Sequence, residues 1–157
     1  MKKIYCLVSL LFLILWLTGC VEEESYSGGG PVRFRIELNG RDSDLNGMYN
    51  YKRFESPRLS GERTGKSGLL VFYSGFDAGR DIPVLTAFDL ACPYDGDIQG
   101  GKIGNPDDSY HVTCSKCKSV YSLTTGGRVE SGPAKRRLYI YRITPELPYR
   151  GYFNISN

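Results

Sequence analysis

From Val32 the chain alternates with period two: Val32, Phe34, Ile36 and Leu38 take one side, and Arg33, Arg35 and Glu37 the other. That is the pattern of a half-buried strand, closed by the Asn39-Gly40 turn. Met48 to Phe54 repeats it less regularly, Ser56-Pro57 ends that segment, and residues 60–68 read as polar loop. Leu69-Leu70-Val71-Phe72-Tyr73 is a short apolar run between glycines, which predicts a buried strand. Further strands are predicted at Val84 to Phe88, Tyr110 to Thr113, Val120 to Leu123 and Leu138 to Ile143, with Tyr152 to Ile155 placed to close the sheet. The domain shows no apolar stripe at helical spacing and no internal repeat, so the expected fold is all-β, a small antiparallel sheet or sandwich.

The N-terminus has a different pattern. Lys2 and Lys3 precede fourteen uncharged, mostly apolar positions from Ile4 to Leu17. At ~1.5 Å per residue these span about 21 Å, short of the ~30 Å hydrocarbon core, which fits the apolar part of a signal peptide better than a transmembrane helix. Leu17-Thr18-Gly19-Cys20 resembles the bacterial lipobox, in which cleavage before the cysteine leaves a thiol carrying diacylglycerol. The resemblance implies residues 1–19 as signal, Cys20 as the lipidation site, and a cell-envelope protein anchored to the membrane on a periplasmic or surface face. Residues 20–30 are polar and glycine-rich and read as a tether, with residues 31–157 as the folded domain. Glu22-Glu23-Glu24 also resembles the export tag of some surface lipoproteins.

Charge removes one class of partner. Loss of Lys2 and Lys3 takes the formal charge from +3 to +1 and leaves no basic stripe of the kind that nucleic-acid binders need, so nucleic acid is not expected as a partner. The domain is large enough to bury a core without staples, and the chain's 19 glycines with mostly tyrosine aromatics suit a turn-rich sheet. One histidine, no Gly-x-Ser-x-Gly and no glycine-rich phosphate loop argue against hydrolase and nucleotide sites.

The cysteines carry the candidate chemistry. Of five, Cys6 lies in the signal and Cys20 at the lipidation position, leaving Cys92, Cys114 and Cys117. Three is an odd number for disulfides in an oxidising compartment, so one is free, ligated or paired outside the chain. They lie in Ala91-Cys92-Pro93-Tyr94-Asp95-Gly96-Asp97 and Thr113-Cys114-Ser115-Lys116-Cys117-Lys118-Ser119, each at the end of a predicted strand.

These two boxes resemble the Rieske 2Fe-2S domain, whose pattern is Cys-x-His in one loop and Cys-x-x-His in another. Cys92 and Cys114 match the two cysteine ligands, and Tyr94 and Cys117 stand where the histidines belong. Lys118-Ser119-Val120-Tyr121 matches the run that follows, in which the Ser and Tyr hydroxyls bond cluster sulfurs, with Lys118 in place of a glycine. Leu123 to Val129 resembles the family's hairpin, and Gly132-Pro133-Ala134 the loop that shields the cluster. The resemblance runs from about Leu69 to Ile143. It implies Ser119, Tyr121 and Pro133 around the site.

Neither histidine ligand is present, and His111, in a predicted strand, reads as a surface residue. Three readings of the cage therefore stand. One is an atypical 2Fe-2S site for electron transfer to a redox or cell-envelope partner, with Cys92, Cys114 and Cys117 as thiolate ligands and Tyr94, an acid such as Asp95, or an outside group as the fourth. The second is a metal-free binding or structural module in which Cys92 pairs with Cys114 or Cys117. The third is zinc on three thiolates plus His111 or an Asp, Cys-x-x-Cys being good knuckle spacing. A thiol oxidoreductase is disfavoured, because no helix N-terminus is predicted after Cys117 to lower a thiol pKa.

Overall fold

The computed structural model describes residues 29–96, 100–148 and 151–157. Among these the chain is all-β, as its periodicity predicts. The strands are β1 (Val32–Glu37), β2 (Tyr51–Phe54), β3 (Arg63–Thr64), β4 (Leu69–Asp77), β5 (Ile82–Asp89), β6 (His111–Thr113), β7 (Val120–Ser122), β8 (Arg128–Ser131), β9 (Ile140–Pro145) and β10 (Tyr152–Ser156). One 3₁₀ turn, Ser43–Leu45, follows β1. Residues 1–28, with Cys20, lie outside the described part.

Seven strands form one antiparallel sheet in the order β2-β4-β5-β9-β10-β1-β3, and β6-β7-β8 form a second. The large sheet curls until its two flanks meet: Phe34 of β1 and Phe54 of β2 stand 4.7 Å apart between ring centroids, and the Arg58 guanidinium covers both rings. A bulge between Tyr73 and Gly75 adds local twist to β4. Tyr152–Ser156 joins the sheet as expected, pairing with both β1 and β9. The loop assigned to residues 60–68 holds β3, because Thr64 and Arg63 pair with Val32 and Arg33; two residues are too few for periodicity to reveal.

Two apolar cores share the β4–β5 pair. Inside the curled sheet, Leu69, Val71 and Tyr73 of β4 pack with Phe34, Ile36, Phe153 and Ile155. On the opposite face, Leu70 and Phe72 pack with Phe88, Leu90, Val112, Tyr121, Leu123 and Leu138. β4 is thus covered on both sides, which is why its sequence is a continuous apolar run. At about 1.5–3 kcal/mol per large buried side chain, either core is a substantial drive to fold. Cys92 and Cys114 belong to the second core, at the end of the molecule where the small sheet meets the large one.

Candidate metal centre

Two loops build the site. After β5 the chain runs through Leu90 and Ala91 to Cys92, whose N–H donates to the Gly101 carbonyl at 2.9 Å. It then turns back tightly, with Gly96 N–H on the Cys92 carbonyl at 2.8 Å; a Cβ at Gly96 would stand 2.5 Å from that oxygen, so only glycine fits. After β6, Cys114 N–H donates to the Ser119 carbonyl at 2.9 Å and closes the second loop. Lys118, in that loop, has φ +61°, a left-handed conformation that favours glycine. Ala91 bridges to Lys102 and Ile103 to Cys114, so one short segment ties the two loops side by side. Arg53 braces that segment from β2, donating to the carbonyls of Ile103 and Gly104 at 2.9 and 2.7 Å.

The ligand atoms of Cys92, Asp95, Cys114 and Cys117 lie within 4.8 Å of one another. Cys92 Sγ is 3.6 Å from Cys117 Sγ, and Cys114 Sγ donates to Asp95 Oδ1 at 3.3 Å. Cys92, Asp95 and Cys114 are buried, and Cys117 is half-buried. Two hydroxyls flank the sulfurs: Tyr121 is 3.2 Å from Cys92 Sγ, and Ser119 Oγ accepts from Cys117 Sγ at 3.2 Å. Ala134 N–H in turn donates to Ser119 Oγ at 3.0 Å, so the Gly-Pro-Ala loop closes over Ser119.

Backbone N–H groups converge on the sulfurs in a repeated way. Those of Tyr94 and Asp95 reach Cys92, and those of Lys116 and Cys117 reach Cys114, two and three residues along in both loops. Such donors stabilise a thiolate. In the metal-free protein burial outweighs them at two positions: it pushes the Cys92 thiol up and the Cys114 thiol up to about 12. At Cys117 burial also works upward, but hydrogen bonds with the Ser119 side chain and backbone outweigh it and hold the thiol low. Burial, reinforced by the Cys92 sulfur, pushes the Tyr121 hydroxyl far up, so it stays protonated and able to donate.

The three sequence-predicted cysteines are therefore brought together. Tyr94 is 57% exposed, and the carboxylate that lies with the three sulfurs is that of Asp95, one residue on. Ser119 and Tyr121 are fully buried at the sulfurs. Pro133 is exposed, its neighbours Gly132 and Ala134 making the contacts with Ser119. His111 is half-buried on β6, its Nδ1 3.7 Å from Asp107, and is not part of the group. The Arg53 brace carried no signal in the sequence, since an arginine in an alternating strand reads as solvated. Comparison with known protein families and with curated proteins found no match to this chain.

The spacing fits one ion. A tetrahedral centre with metal–sulfur bonds of ~2.3 Å has ligand atoms roughly 3.8 Å apart, and slightly less where one ligand is oxygen. The 3.6 and 3.3 Å edges lie close to that figure, and all four atoms fall within 4.8 Å, so a small closure of the loops would complete the tetrahedron. A two-iron cluster holds two protein ligands on either iron, so its ligand pairs are separated by the whole width of the iron–sulfide core.

Proposed function

We propose that this protein is a lipid-anchored cell-envelope module in which Cys92, Asp95, Cys114 and Cys117 hold a single tetrahedral metal ion of the zinc type. The observation that carries this reading is the convergence of three sulfurs and one carboxylate within 4.8 Å. Four protein ligands leave no open position for water or substrate, which is the pattern of a structural site. When bound, the ion cross-links the loop after β5 to the loop after β6, and its charge offsets the burial of the thiolates. The scaffold reading is Rieske-like. Supporting it are the paired cysteine loops, the Tyr121 and Ser119 hydroxyls at the sulfurs, the Gly132–Ala134 loop against Ser119, and Lys118 in a conformation suited to the family's glycine. On this reading a single ion replaces the two-iron cluster, and the protein serves as a binding or structural module rather than an enzyme.

The same two hydroxyls favour a second reading, a two-iron cluster on these four residues for electron transfer. Anionic ligands in place of imidazoles would draw its potential from the ~−150 to +300 mV Rieske window toward the ~−400 mV of all-cysteine clusters. Metal analysis, acid-labile sulfide and visible absorption of protein purified anaerobically from iron- and zinc-replete cells separate the readings. One metal per chain without sulfide supports the single ion. Two irons with two sulfides support the cluster and overturn the first reading. Neither metal, with two thiols missing, overturns both in favour of a disulfide.

A further inference from the structure

The outer face of the large sheet carries a row of arginines that has no counter-charge among the described residues. In the pairing register Arg63 of β3 lies opposite Arg33 of β1, Arg33 opposite Ser156 of β10, and Ser156 opposite Arg142 of β9. All three arginines are exposed, while their strand neighbours Val32, Thr64 and Tyr141 point inward and are buried. With strands ~4.8 Å apart, the row is about 14 Å long. Like charges directly opposite one another destabilise a sheet, and Arg33 and Arg63 are such a pair.

The neighbouring row is built otherwise. Arg35, one pleat further along β1, is paired with Glu146 at 3.0 Å and lies 4.6 Å over the Tyr152 ring. The unneutralised charge is therefore confined to the end of the sheet where the chain enters from its N-terminal segment. That end is pinned: Asn157 bonds Val32 N–H through Oδ1 and the Gly30 carbonyl through Nδ2, and Gly65 N–H reaches the Pro31 carbonyl. Ten residue steps lead from Cys20 to Gly30, at most ~33–36 Å of extended chain.

We propose that the Arg33–Arg63–Arg142 row docks the domain onto the anionic headgroups of the membrane that holds its acyl anchor. This rests on the reading of Cys20 as the lipidation site. The row then acts as the second membrane signal beside the acyl chains, and it fixes which face of the domain looks at the bilayer. Each arginine near an anionic surface contributes about fivefold to the docking equilibrium, so three give roughly a hundredfold.

The test uses the acylated protein in vesicles of phosphatidylcholine alone or with one-third phosphatidylglycerol, with arginine modification by phenylglyoxal read residue by residue by mass spectrometry. Arg33, Arg63 and Arg142 are expected to react at least tenfold more slowly on the anionic vesicles at low salt. Protection should vanish at 0.5 M salt, and Arg80, 70% exposed in its side chain, should react equally on both. Equal reactivity of the row on both vesicles, or protection shared by Arg80, overturns the proposal. Flotation keeps the anchor reading separate. Acyl anchoring holds protein on both vesicle types at any salt; without it, salt-sensitive flotation on the anionic vesicles alone supports docking, and its absence overturns docking.

Discussion

Replacing Asp95 by Asn removes the one carboxylate of the centre while keeping its shape. In the metal-free protein little should change, because the Cys114 thiol that donates to Asp95 Oδ1 at 3.3 Å can donate to an amide oxygen instead. The expected cost there is under about 1 kcal/mol. With metal the effect is larger. Loss of a residue that merely orients a ligand weakens binding ~10–100-fold, so loss of a ligand is expected at the upper end or beyond. At a free metal concentration a thousandfold above the wild-type Kd, the ion stabilises the fold by about 4.1 kcal/mol; weakening by a hundredfold leaves roughly 1.4 kcal/mol. At about 3–5 °C per kcal/mol for a domain of this size, zinc should raise Tm by ~12–20 °C in the wild type and ~4–7 °C in Asp95→Asn. Thermal melts with and without chelator, at fixed free zinc, measure both. Tyr94→Phe serves as the control and should melt like the wild type, the ring being largely exposed. Equal zinc-dependent gains in wild type and Asp95→Asn would refute the assignment of Asp95, and a loss of the gain in Tyr94→Phe would restore the phenolate as ligand.

Metal affinity should climb with pH: Cys92 and Cys114 hold protons at pH 7 and must shed them to bind, so competition titrations are expected to show about a hundredfold gain per pH unit below their pKa values. The metal-free fold should respond in the opposite sense. Thiols whose folded pKa is raised stabilise it fully below the unfolded value, and denaturation midpoints should fall as pH rises from 9 toward 12. Cys20→Ser should move the protein from the detergent phase to the aqueous phase without changing the Tm of its domain; retention in the membrane fraction counts against the lipid anchor. Lys118→Gly relieves a φ of +61° at the loss of the Lys118 Nζ bond to the Ser115 carbonyl, and urea unfolding should show about 1 kcal/mol of added stability.

How far the structure was legible depended on what each element owes to its neighbours in sequence. β1 and β10 show their alternation because one face of each is buried and the other is wet, and β4 reads as a buried run because both its faces are covered. β3 was invisible: its existence depends on Val32 and Arg33, some thirty residues away, and not on its own two side chains. β9 begins at Ile140, two residues later than the apolar pattern, since Leu138 is fixed instead by a turn contact, its N–H on the Gly127 carbonyl at 2.9 Å. At the site, the cysteine spacing exposed three candidate ligands because cysteines are few. Tyr94 and Asp95 differ by one position in a tight turn, and only the backbone path through Gly96 decides which of the two side chains turns inward.

The division of the protein into two cores also bears on what an ion at this site would do. The small sheet contributes only three, three and four residues in its strands, too little to stand alone. It is secured by packing Val112, Tyr121 and Leu123 against the back of β4 and β5, and by the loops at Cys92 and Cys114. The curled sheet, by contrast, has its own interior around Phe34, Val71 and Phe153 and contains none of the ligands. An ion shared by the two loops therefore stabilises the junction between the sheets rather than the barrel. On that reading the loop end should open first when the ion is removed, while the arginine row, on the outer face of the curled sheet, should keep its geometry. On the proposed readings, membrane docking and metal binding would fall to separate parts of one small fold.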